Sequence, residues 1–383
     1  MNEKGGIWVN HFILKTKVFM GHGSLKELQQ LPIHNACVVC DPFMVQSGLV
    51  ERVTQVLEQM GAQYQIFSDV VPDPTTDVVV AGVVRQAQDQ PDAVIALGGG
   101  SAIDTAKAMS FLYTQITGLP KPLCVVIPTT SGTGTEVTSF SVITDPQAQD
   151  KVPLVDDRLL PDVAILDADF TLSVPPAVTA DTGMDVLTHA IEAYTSTDAT
   201  DFSDALAEKA LELVFEYLPR AVKNGQDVQA REHLHHASCM AGVAFNHANL
   251  GINHSMAHAL GAKFHISHGR SNALLLDQVM KYNLQGSPRA AERYCALAKC
   301  LSLPCNNVQV GANSLIREVR SLRKEVGIPG SIAAQKVRRE DFLEKVDEMV
   351  QDALKDPCTA TNPRVPTAQE LRELYLTCFS SSN

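Results

Sequence analysis

The stretch Ala93-Val-Ile-Ala-Leu-Gly-Gly-Gly-Ser101 joins five apolar residues to three consecutive glycines and a serine. Apolar residues with helical spacing follow over 102–116, a segment that carries Asp104 and Lys107. The pattern predicts a buried strand that ends in a glycine turn and leads into a helix. Backbone N–H groups that glycine leaves uncovered, together with the positive end of a helix, can bind a phosphate. The turn matches neither the G-x-G-x-x-G fingerprint nor a P-loop, so a plain tight turn explains this stretch alone equally well.

The chain up to about residue 170 alternates between short apolar runs and helical patterns. We predict five strands, at Ala36–Cys40, Gln63–Phe67, Ala93–Leu97, Leu123–Ile127 and Val163–Leu166, and four helices, at Ser24–Leu31, Gly48–Met60, Thr75–Gln90 and Ala102–Ile116. Such alternation is typical of a parallel sheet with helices on both faces. Two hairpins are predicted in addition, one at His11–Val18 and one formed by Val137–Thr144 with Val152–Val155.

The strand signal disappears from Pro175-Pro176 onward. Nine helices are predicted there, over 179–195, 202–223, 229–247, 252–264, 271–284, 288–301, 307–325, 339–355 and 367–378. We therefore expect two domains, an α/β domain over 1–178 and an all-helical domain over 179–383. A ligand cleft is expected where they meet.

Composition limits the function classes. The 383 residues are 45% hydrophobic with a net charge of −12 and no block of like charges, which disfavours nucleic acid and anionic membranes as partners. The sequence shows neither an apolar run of about 20 residues nor a signal-peptide pattern, so we expect a cytoplasmic protein. Cys37-Val-Val-Cys40 resembles a redox motif, but residues three apart on a strand point to opposite faces, so we predict two buried thiols.

A second loop strengthens the case for a bound nucleotide. Ile127-Pro-Thr-Thr-Ser-Gly-Thr-Gly-Thr-Glu136 leaves another predicted strand with hydroxyls and glycines suited to phosphate and ribose contacts. Asp41 ends an earlier strand, where its carboxylate could accept hydrogen bonds from an adenosine ribose and would repel the 2′-phosphate of NADP. The combination predicts that the chain binds NAD.

Histidines in the second half predict a metal site. Asp185 and His189 are four apart in a helical pattern and so share one face, and His254, His258 and His268 follow. A mixed carboxylate and imidazole set suits Fe or Zn, with Mn or Co as further alternatives, and suits neither calcium nor a thiolate zinc site. Asp185 and His189 alone could be a solvated pair on a polar helix face, and His254 and His258 could be ordinary helix histidines. We predict that His233-Leu-His-His236, also rich in histidine, is such an exposed face.

These motifs together resemble the iron-containing (group III) alcohol dehydrogenase family over essentially the full length. The matching stretches are Gly98-Gly-Gly-Ser-Ala-Ile-Asp-Thr-Ala-Lys107, Pro128-Thr-Thr-Ser-Gly-Thr-Gly-Thr-Glu-Val-Thr138, Gly183-Met-Asp-Val-Leu-Thr-His-Ala-Ile-Glu192 and His254-Ser-Met-Ala-His-Ala-Leu-Gly261. The resemblance implies a dehydroquinate synthase-like architecture, in which a Rossmann-like parallel sheet with added hairpins precedes an all-helical domain. Within the family the chain is most similar to the propanol dehydrogenases of diol-utilising bacterial microcompartments.

The resemblance also implies roles for individual residues. It places one divalent metal, Fe²⁺ or Zn²⁺, on Asp185, His189, His254 and His268, and places His258 beside the nicotinamide, where it is our candidate for a proton relay. It implies cofactor contacts at Asp41, Gly99, Ser101, Asp104, Thr129, Thr130, Thr138 and Lys151, to which the glycine turn adds Gly98 and Gly100. Ser267 stands where the family usually has proline, which should loosen the approach to His268.

The expected function is the NAD(H)-linked interconversion of a short primary alcohol and its aldehyde, for example 1-propanol and propanal. The metal would polarise the substrate oxygen while hydride passes to or from C4 of the nicotinamide. Phe245, Phe264 and Val152 are candidate walls of a small apolar pocket. We also expect a homodimer joined through the opening hairpin, with microcompartment shell or enzymes as further partners.

Two alternatives remain open from the sequence. A metal- and NAD-dependent sugar-phosphate cyclase would need a basic cluster for the substrate phosphate, and residues 240–275 offer only Lys263 and Arg270. The other is a nucleotide-binding protein without catalysis, which an intact set of four metal ligands disfavours.

Overall fold

A computed structural model of the chain describes residues 12–146 and 150–380, without the side chains of Asp150 and Lys151. It contains eight described strands: β1 Lys17–Met20, β2 Asn35–Cys40, β3 Gln63–Phe67, β4 Ala93–Gly98, β5 Leu123–Pro128, β6 Phe140–Asp145, β7 Asp150–Val155 and β8 Val163–Leu166. Six of them form one sheet in the order β1-β8-β5-β4-β2-β3, and every pairing in it is parallel. The predicted parallel sheet is confirmed.

Four described α-helices accompany this sheet: α1 Pro42–Gln46, α2 Leu49–Gln59, α3 Thr76–Asp89 and α4 Gly100–Thr117. The helix predicted at Ser24–Leu31 is a 3-10 helix, Ser24–Gln30. The predicted hairpin is present as the antiparallel pair β6 and β7. The four predicted helices are therefore present as this 3-10 helix, α2, α3 and α4, and the short helix α1 was not predicted.

Successive side chains of the central strands point to opposite faces of the sheet, and both faces are buried. In β2, Val38 and Cys40 pack into the core on one face, whereas Cys37 and Val39 pack into the core on the other. Burial raises the pKa of the Cys37 and Cys40 thiols to about 12, so both stay protonated. The prediction of two buried thiols on opposite faces is confirmed.

The opening hairpin predicted at His11–Val18 is not present in the part of the chain that the structure describes. Residues 12–15 belong to no strand, and β1 pairs in parallel with β8, so that Val18 lies beside Ala164. His11 lies outside the described residues. The prediction was wrong here because apolar periodicity reports a strand but not its partner, and this partner lies about 145 residues further along the chain.

The second half consists of helices. They are α5 Pro176–Thr195, α6 Asp201–Lys223, α7 Val228–Ala248, α8 Ile252–Phe264, α9 His268–Gly286, α10 Pro288–Cys300, α11 Val308–Glu325, α12 Arg339–Lys355 and α13 Ala368–Ser380. All nine predicted helices are present, and no helix among the described residues has the length and apolar character to cross a membrane. α5 is buried along most of its length and packs against α6, α7 and α9.

The two halves meet where the loop after β5 crosses α7. A methyl group on Gly134, whose φ is 61°, would lie 2.6 Å from the Gly242 Cα of α7. A side chain on Gly134 or on Gly242 would collide with the backbone of the other segment, so both positions require glycine. The crossing holds the loop that follows β5 against the helical half, on the side where α5 begins.

Candidate active site

The four predicted metal ligands come from three helices and meet at one point. Asp185 and His189 lie one turn apart on α5, His254 lies in the first turn of α8, and His268 is the first residue of α9. One ligand atom from each of these residues lies within 4.8 Å of the other three. We call these four residues the Asp/His cluster.

The spacing within the Asp/His cluster suits an ion at its centre. The Nε2 atoms of His268 and His254 lie 3.4 Å and 3.8 Å from the Asp185 Oδ1. Ligand atoms about 2.1 Å from a tetrahedral ion lie about 3.4 Å from one another. The His189 and His254 rings stack with their centroids 4.6 Å apart.

Two buried nitrogens of the Asp/His cluster have no hydrogen-bond partner among the described residues. Asp185, His189 and His254 are at most 4% exposed. Within the described residues, the His189 Nδ1 and the His254 Nε2 have no hydrogen-bond partner. A buried polar atom without a partner costs about 1–3 kcal/mol. Since a divalent cation accepts such lone pairs, the donor set and its unpaired atoms fit the metal that the sequence implies.

Burial also sets the protonation of the Asp/His cluster. It lowers the pKa of His189 to about 4 and lowers that of His254 well below its ordinary value. Both imidazoles are therefore neutral at pH 7, which is the form that binds a metal. Burial raises the pKa of Asp185, and the hydrogen bond from Asn272 opposes that shift.

Two polar residues that the sequence interpretation did not assign orient the ligands. The Glu192 carboxylate lies 2.5 Å from the His254 Nδ1 and accepts the backbone N–H of Asn253 at 2.7 Å, which leaves the His254 Nε2 turned toward the Asp/His cluster. The Asn272 side chain donates to the Asp185 Oδ1 at 2.6 Å. Their spacing was a usable signal, since Glu192 follows His189 by three residues and Asn272 follows His268 by four.

His268, the last of the four ligands in the sequence, lies on the side of the Asp/His cluster that faces the surface. The side chain of His268 is 38% exposed. Ser267, which precedes it, donates its hydroxyl to the Asp181 Oδ2 at 2.9 Å and so ties the start of α9 to α5. This bond supplies locally some of the constraint that a proline would give.

His258 lies beside the Asp/His cluster and is paired with a carboxylate. Its ring stacks on His268 with centroids 5.2 Å apart, and its Nδ1 lies 2.7 Å from the Asp356 Oδ2. The other oxygen of Asp356 accepts from the Ser255 hydroxyl at 3.1 Å and from the Cys358 N–H at 2.8 Å. Burial opposes ionisation of Asp356, but these hydrogen bonds and the His258 charge outweigh it and lower its pKa to about 2.

Asp356 was missed by sequence reasoning. It lies 98 residues after His258, in a turn that follows α12, and no spacing rule connects the two. The packing of α12 and of the 3-10 helix Pro357–Thr361 against α8 brings them together.

The glycine turn lies at the carboxyl end of β4, as predicted. β4 ends at Gly98 and α4 begins at Gly100. A methyl group on Gly99 would lie 3.1 Å from the Thr130 Oγ1, and one on Gly98 would lie 3.8 Å from the Asp41 Oδ2. The structure therefore gathers Asp41, the glycine turn and the threonine loop at one edge of the sheet.

Three further predicted cofactor residues lie on neighbouring elements, and two of them, Asp104 and Thr138, bond to other parts of the protein. Asp104 accepts from the Thr135 hydroxyl at 2.7 Å and from the Val142 N–H at 3.1 Å. Thr138 is 1% exposed and its hydroxyl lies 3.3 Å from the Lys107 ammonium. Lys151 lies in β7 opposite Thr144.

The loop after β5 connects the glycine turn to the Asp/His cluster. Thr133 of this loop packs against Gly100. The residue before it, Gly132, packs against Thr182 of α5. The two sets of residues are thus on the same side of the molecule, linked by a few residues of one loop.

Other histidine and aromatic predictions have mixed outcomes. The exposed face predicted at 233–236 was wrong, because His235 is 1% exposed and lies between the Ser131 hydroxyl, at 2.8 Å, and the Pro128 carbonyl, at 3.1 Å. Phe245 stacks on His189 at 4.5 Å, as a wall of the site would. Phe264 instead stacks on Phe342. Helical periodicity could not show that α7 is buried by the loop after β5.

The fold and the site together define a class of enzyme. In this class a parallel sheet carries a glycine turn, and a helical half carries an Asp/His cluster on the same side of the molecule. Family models agree. The model described as iron-containing alcohol dehydrogenase matches residues 15–168, and that described as Fe-containing alcohol dehydrogenase family, C-terminal, matches 179–379.

Comparison with individual proteins gives the same result. The 1-propanol dehydrogenase PduQ of Citrobacter freundii is 47% identical over 365 residues, covering 95% of this chain and 98% of that protein. An NADPH-dependent butanol dehydrogenase of Clostridium saccharobutylicum is 40% identical, covering 95% and 96%. The solved iron-containing alcohol dehydrogenase of Thermococcus thioreducens has a TM-score of 0.90 at 33% identity, covering 97% and 100%.

The chain belongs to the iron-containing alcohol dehydrogenase family. It is accordingly an oxidoreductase that acts on CH–OH groups and links an alcohol and its aldehyde through a nicotinamide cofactor. The dehydroquinate synthase-like architecture is confirmed by the structural neighbours. Neither the sugar-phosphate cyclase nor the non-catalytic alternative is favoured by these relatives.

Proposed function

We propose that the enzyme reduces a short aldehyde to its primary alcohol with NADH, propanal and 1-propanol being the pair to test, and that one divalent cation, Fe²⁺ or Zn²⁺, is held by Asp185, His189, His254 and His268. The observation that carries the proposal is the convergence of these ligand atoms within 4.8 Å, with two buried imidazole nitrogens unpaired. The similarity to a 1-propanol dehydrogenase supports the substrate.

The chain's own residues prepare the site for this chemistry. A divalent cation, when bound, supplies a Lewis acid for the substrate oxygen. Glu192 accepts the His254 Nδ1–H and so keeps the Nε2 lone pair available, and Asn272 fixes one oxygen of Asp185. Phe245 lies against His189 and excludes water from that side.

His258 is the proposed proton relay. With its Nδ1–H donated to Asp356, the tautomer leaves a lone pair on Nε2. That nitrogen can accept the proton of an alcohol or return it to the nascent alkoxide, and the half-exposed ring gives it access to water. The catalytic contribution of His258 therefore depends on Asp356.

The proposed cofactor site is the edge formed by Asp41, the glycine turn Gly98–Ser101 and the threonines Thr129, Thr130 and Thr138. A nicotinamide dinucleotide supplies the hydride acceptor or donor. The Asp41 Oδ1 caps α1 through the Phe43 and Met44 N–H groups, while its Oδ2 lies on the side of Gly98. A carboxylate at that position favours NAD over NADP. We propose that Lys151 contacts the cofactor and that Asp104 acts by positioning the loop.

Absorbance at 340 nm tests the proposal. Anaerobically purified enzyme should oxidise NADH with propanal, should lose that activity on chelation, and should regain it with Fe²⁺ or Zn²⁺. NADPH should be a poorer cofactor, and a series of aldehydes of increasing chain length should show a short-chain preference. Activity that is insensitive to complete metal removal, or no NADH oxidation with any short aldehyde, would contradict the assignment.

We further propose a homodimer formed at the open edge of the sheet. β1 pairs only with β8 among the described strands, and beside it lies an apolar groove lined by Phe12, Leu14, Met20 and Phe202. The exposed fractions of Met20 and Phe202 are 58% and 65%. Sedimentation should show a dimer, and a Met20→Glu/Phe202→Glu variant should sediment as a monomer.

The cellular setting follows from the same resemblance. We propose that the enzyme works in the cytoplasm, within a bacterial microcompartment in which aldehyde reduction regenerates NAD⁺. Its similarity to 1-propanol dehydrogenases supports this. Activity that co-sediments with purified shells, and stays in the supernatant from cells lacking them, is the expected result.

A further inference from the structure

A pocket lined largely by cationic side chains lies on α11. It is lined by Arg317, Arg320, Ser321, Arg323 and Lys324 and has a volume of ≈ 260 Å³. Four of these five residues are cationic and none is acidic, in a chain whose net charge is −12. We call it the α11 pocket. The residues proposed for catalysis and cofactor binding lie on other elements.

The sequence of α11 builds this concentration of charge. Arg317, Arg320 and Lys324 follow at intervals of three and four and so share one face of the helix. Like charges at this spacing destabilise a helix. The two glutamates in this part of α11, Glu318 and Glu325, are not among the lining residues.

One carboxylate from α9 neutralises the α11 pocket only in part. Asp277, which is 2% exposed, accepts from Arg320 at 2.8 Å and from Arg323 at 2.9 Å. Arg317 donates to the Ser314 hydroxyl, and within the described residues neither Arg317 nor Lys324 has a carboxylate within 4.0 Å. The four cationic side chains of the pocket therefore have only Asp277 beside them among the described carboxylates, and Asp277 also pairs with Lys281 at 3.7 Å.

Arg323 shows that the excess charge extends to the buried side of the α11 pocket. Its side chain is 5% exposed, and its Nε has no hydrogen-bond partner in the part of the chain that the structure describes. A guanidinium this deeply buried is normally paired at each nitrogen. Arg323 lines the α11 pocket from its buried side, so its charge adds to the positive potential there.

We propose that the α11 pocket binds a phosphate group, either inorganic phosphate or the phosphate of a small ester. Arginine forks match tetrahedral oxyanions, and a dianion balances most of the charge that Asp277 leaves. A phosphate is small enough for the pocket. The site is separate from the glycine turn, so it adds a ligand to the enzyme beyond its alcohol, aldehyde and nucleotide.

Calorimetric titration of the metal-loaded enzyme with inorganic phosphate, at constant ionic strength and with saturating NADH, tests this. The pocket variant is Arg317→Gln/Lys324→Gln, which leaves the ion pairs of Asp277 with Arg320, Arg323 and Lys281 intact. The matched control is Lys336→Gln/Arg339→Gln, which removes the same charge from exposed positions before α12 and at its start. Wild type and control should bind one phosphate, and the pocket variant should bind it at least about tenfold more weakly.

The outcomes discriminate among sources. Methyl phosphate binding as well as inorganic phosphate identifies an ester as an acceptable ligand, whereas its exclusion restricts the site to the free ion. Phosphate bound at the metal or the nucleotide edge would persist in the pocket variant, so equal binding by the variant overturns the proposal. Absence of saturable binding to wild type does so as well, whether or not the enzyme is active.

A second measurement does not depend on a variant. In enzyme labelled with ¹⁵N-arginine, the Arg323 Nε–H resonance should shift on addition of phosphate and should not shift with chloride at equal ionic strength. A resonance that does not move while other arginines do would place the anion elsewhere and overturn the proposal.

Discussion

At His254, one hydrogen bond decides which ring nitrogen faces the Asp/His cluster. Glu192 accepts the Nδ1–H at 2.5 Å, so the Nε2 is the unpaired atom. Burial opposes ionisation of Glu192 and raises its pKa, and the backbone N–H groups of Asn253 and His254, which donate to its carboxylate, lower it again in part. A carboxylate behind a metal-binding histidine fixes its tautomer and increases its basicity.

Glu192→Gln should weaken metal binding by about 10–100-fold, because the amide keeps the shape but not the charge that supports His254. Metal retained after equilibration against graded chelator measures the effect. Glu208→Gln is the matched control, since Glu208 accepts from the Tyr194 hydroxyl on α5 and carries the same charge. Retention equal to wild type would show that Glu192 only fills space.

Asp356→Asn should reduce kcat by about 10²–10⁴-fold with little change in metal content, because the amide no longer selects the His258 tautomer. His258→Ala should behave in the same way. Steady-state kinetics and metal analysis on the same preparations provide the measurement. Asp169→Asn, which alters the pair with exposed His22, is the control. Loss of metal from His258→Ala would instead make His258 a ligand.

Glu136 should make the protein less stable as the pH rises. Burial raises its pKa from 4.5 to about 7, so its contribution to stability is full below pH 4.5 and is lost as the pH rises through 7. Glu136→Gln should remove that part of the pH dependence, roughly 1–3 kcal/mol between pH 5 and pH 8. Urea unfolding at both pH values tests it. Exposed Glu340→Gln should keep the wild-type slope.

At the scale of elements, α4 fastens the loop and hairpin that border the cofactor edge. Lys107 is 1% exposed, and its ammonium donates to the carbonyls of Thr135 at 3.1 Å and Thr138 at 2.8 Å, and to that of Phe140. Burial lowers its pKa to about 8. Asp104, one turn earlier, holds the other side of the same loop.

Lys107→Met should therefore weaken NADH binding by about tenfold or more, because several carbonyls lose their only buried cation and the loop after β5 loosens. NADH fluorescence titration measures this, with metal content as an internal check. Lys209→Met on α6, whose exposed ammonium pairs with Glu212, should bind NADH like wild type. Unchanged NADH binding in Lys107→Met would separate this loop from the cofactor.

Helix boundaries show where element prediction succeeded and where it did not. The start of α3 was predicted to within one residue, at Thr75, whereas the helix begins at Thr76. The start of α9 was not, since the apolar pattern begins at 271 while the helix begins at His268. The first turn of α9 carries polar residues that face the Asp/His cluster and α5, so no apolar repeat marks it.

At the scale of the whole molecule, the Asp/His cluster joins α5, α8 and α9. We propose a domain boundary near residue 178, close to the start of α5, with the cluster entirely in the second domain. A cation that binds only the folded chain stabilises it by about 4 kcal/mol at a concentration 1,000 times its Kd.

Metal removal should thus lower the thermal midpoint by several degrees, and Fe²⁺ or Zn²⁺ should restore it. Thermal unfolding with chelator, and then with added metal, tests this. A His189→Ala variant should unfold at the same temperature with and without metal. A midpoint that is independent of metal in the wild type would mean that no cation bridges the three helices.

The sequence by itself determined the parallel sheet, the nine helices, the glycine turn and the identity of the four candidate ligands. The elements follow from local periodicity and the glycine turn from a short motif, whereas the set of four ligands is what the resemblance to the iron-containing alcohol dehydrogenase family implies. The tertiary structure decided that β1 joins β8, that His235 is buried, and that Asp356 supports His258 across 98 residues. Such contacts depend on how distant segments pack, and no repeat within a segment encodes its partner.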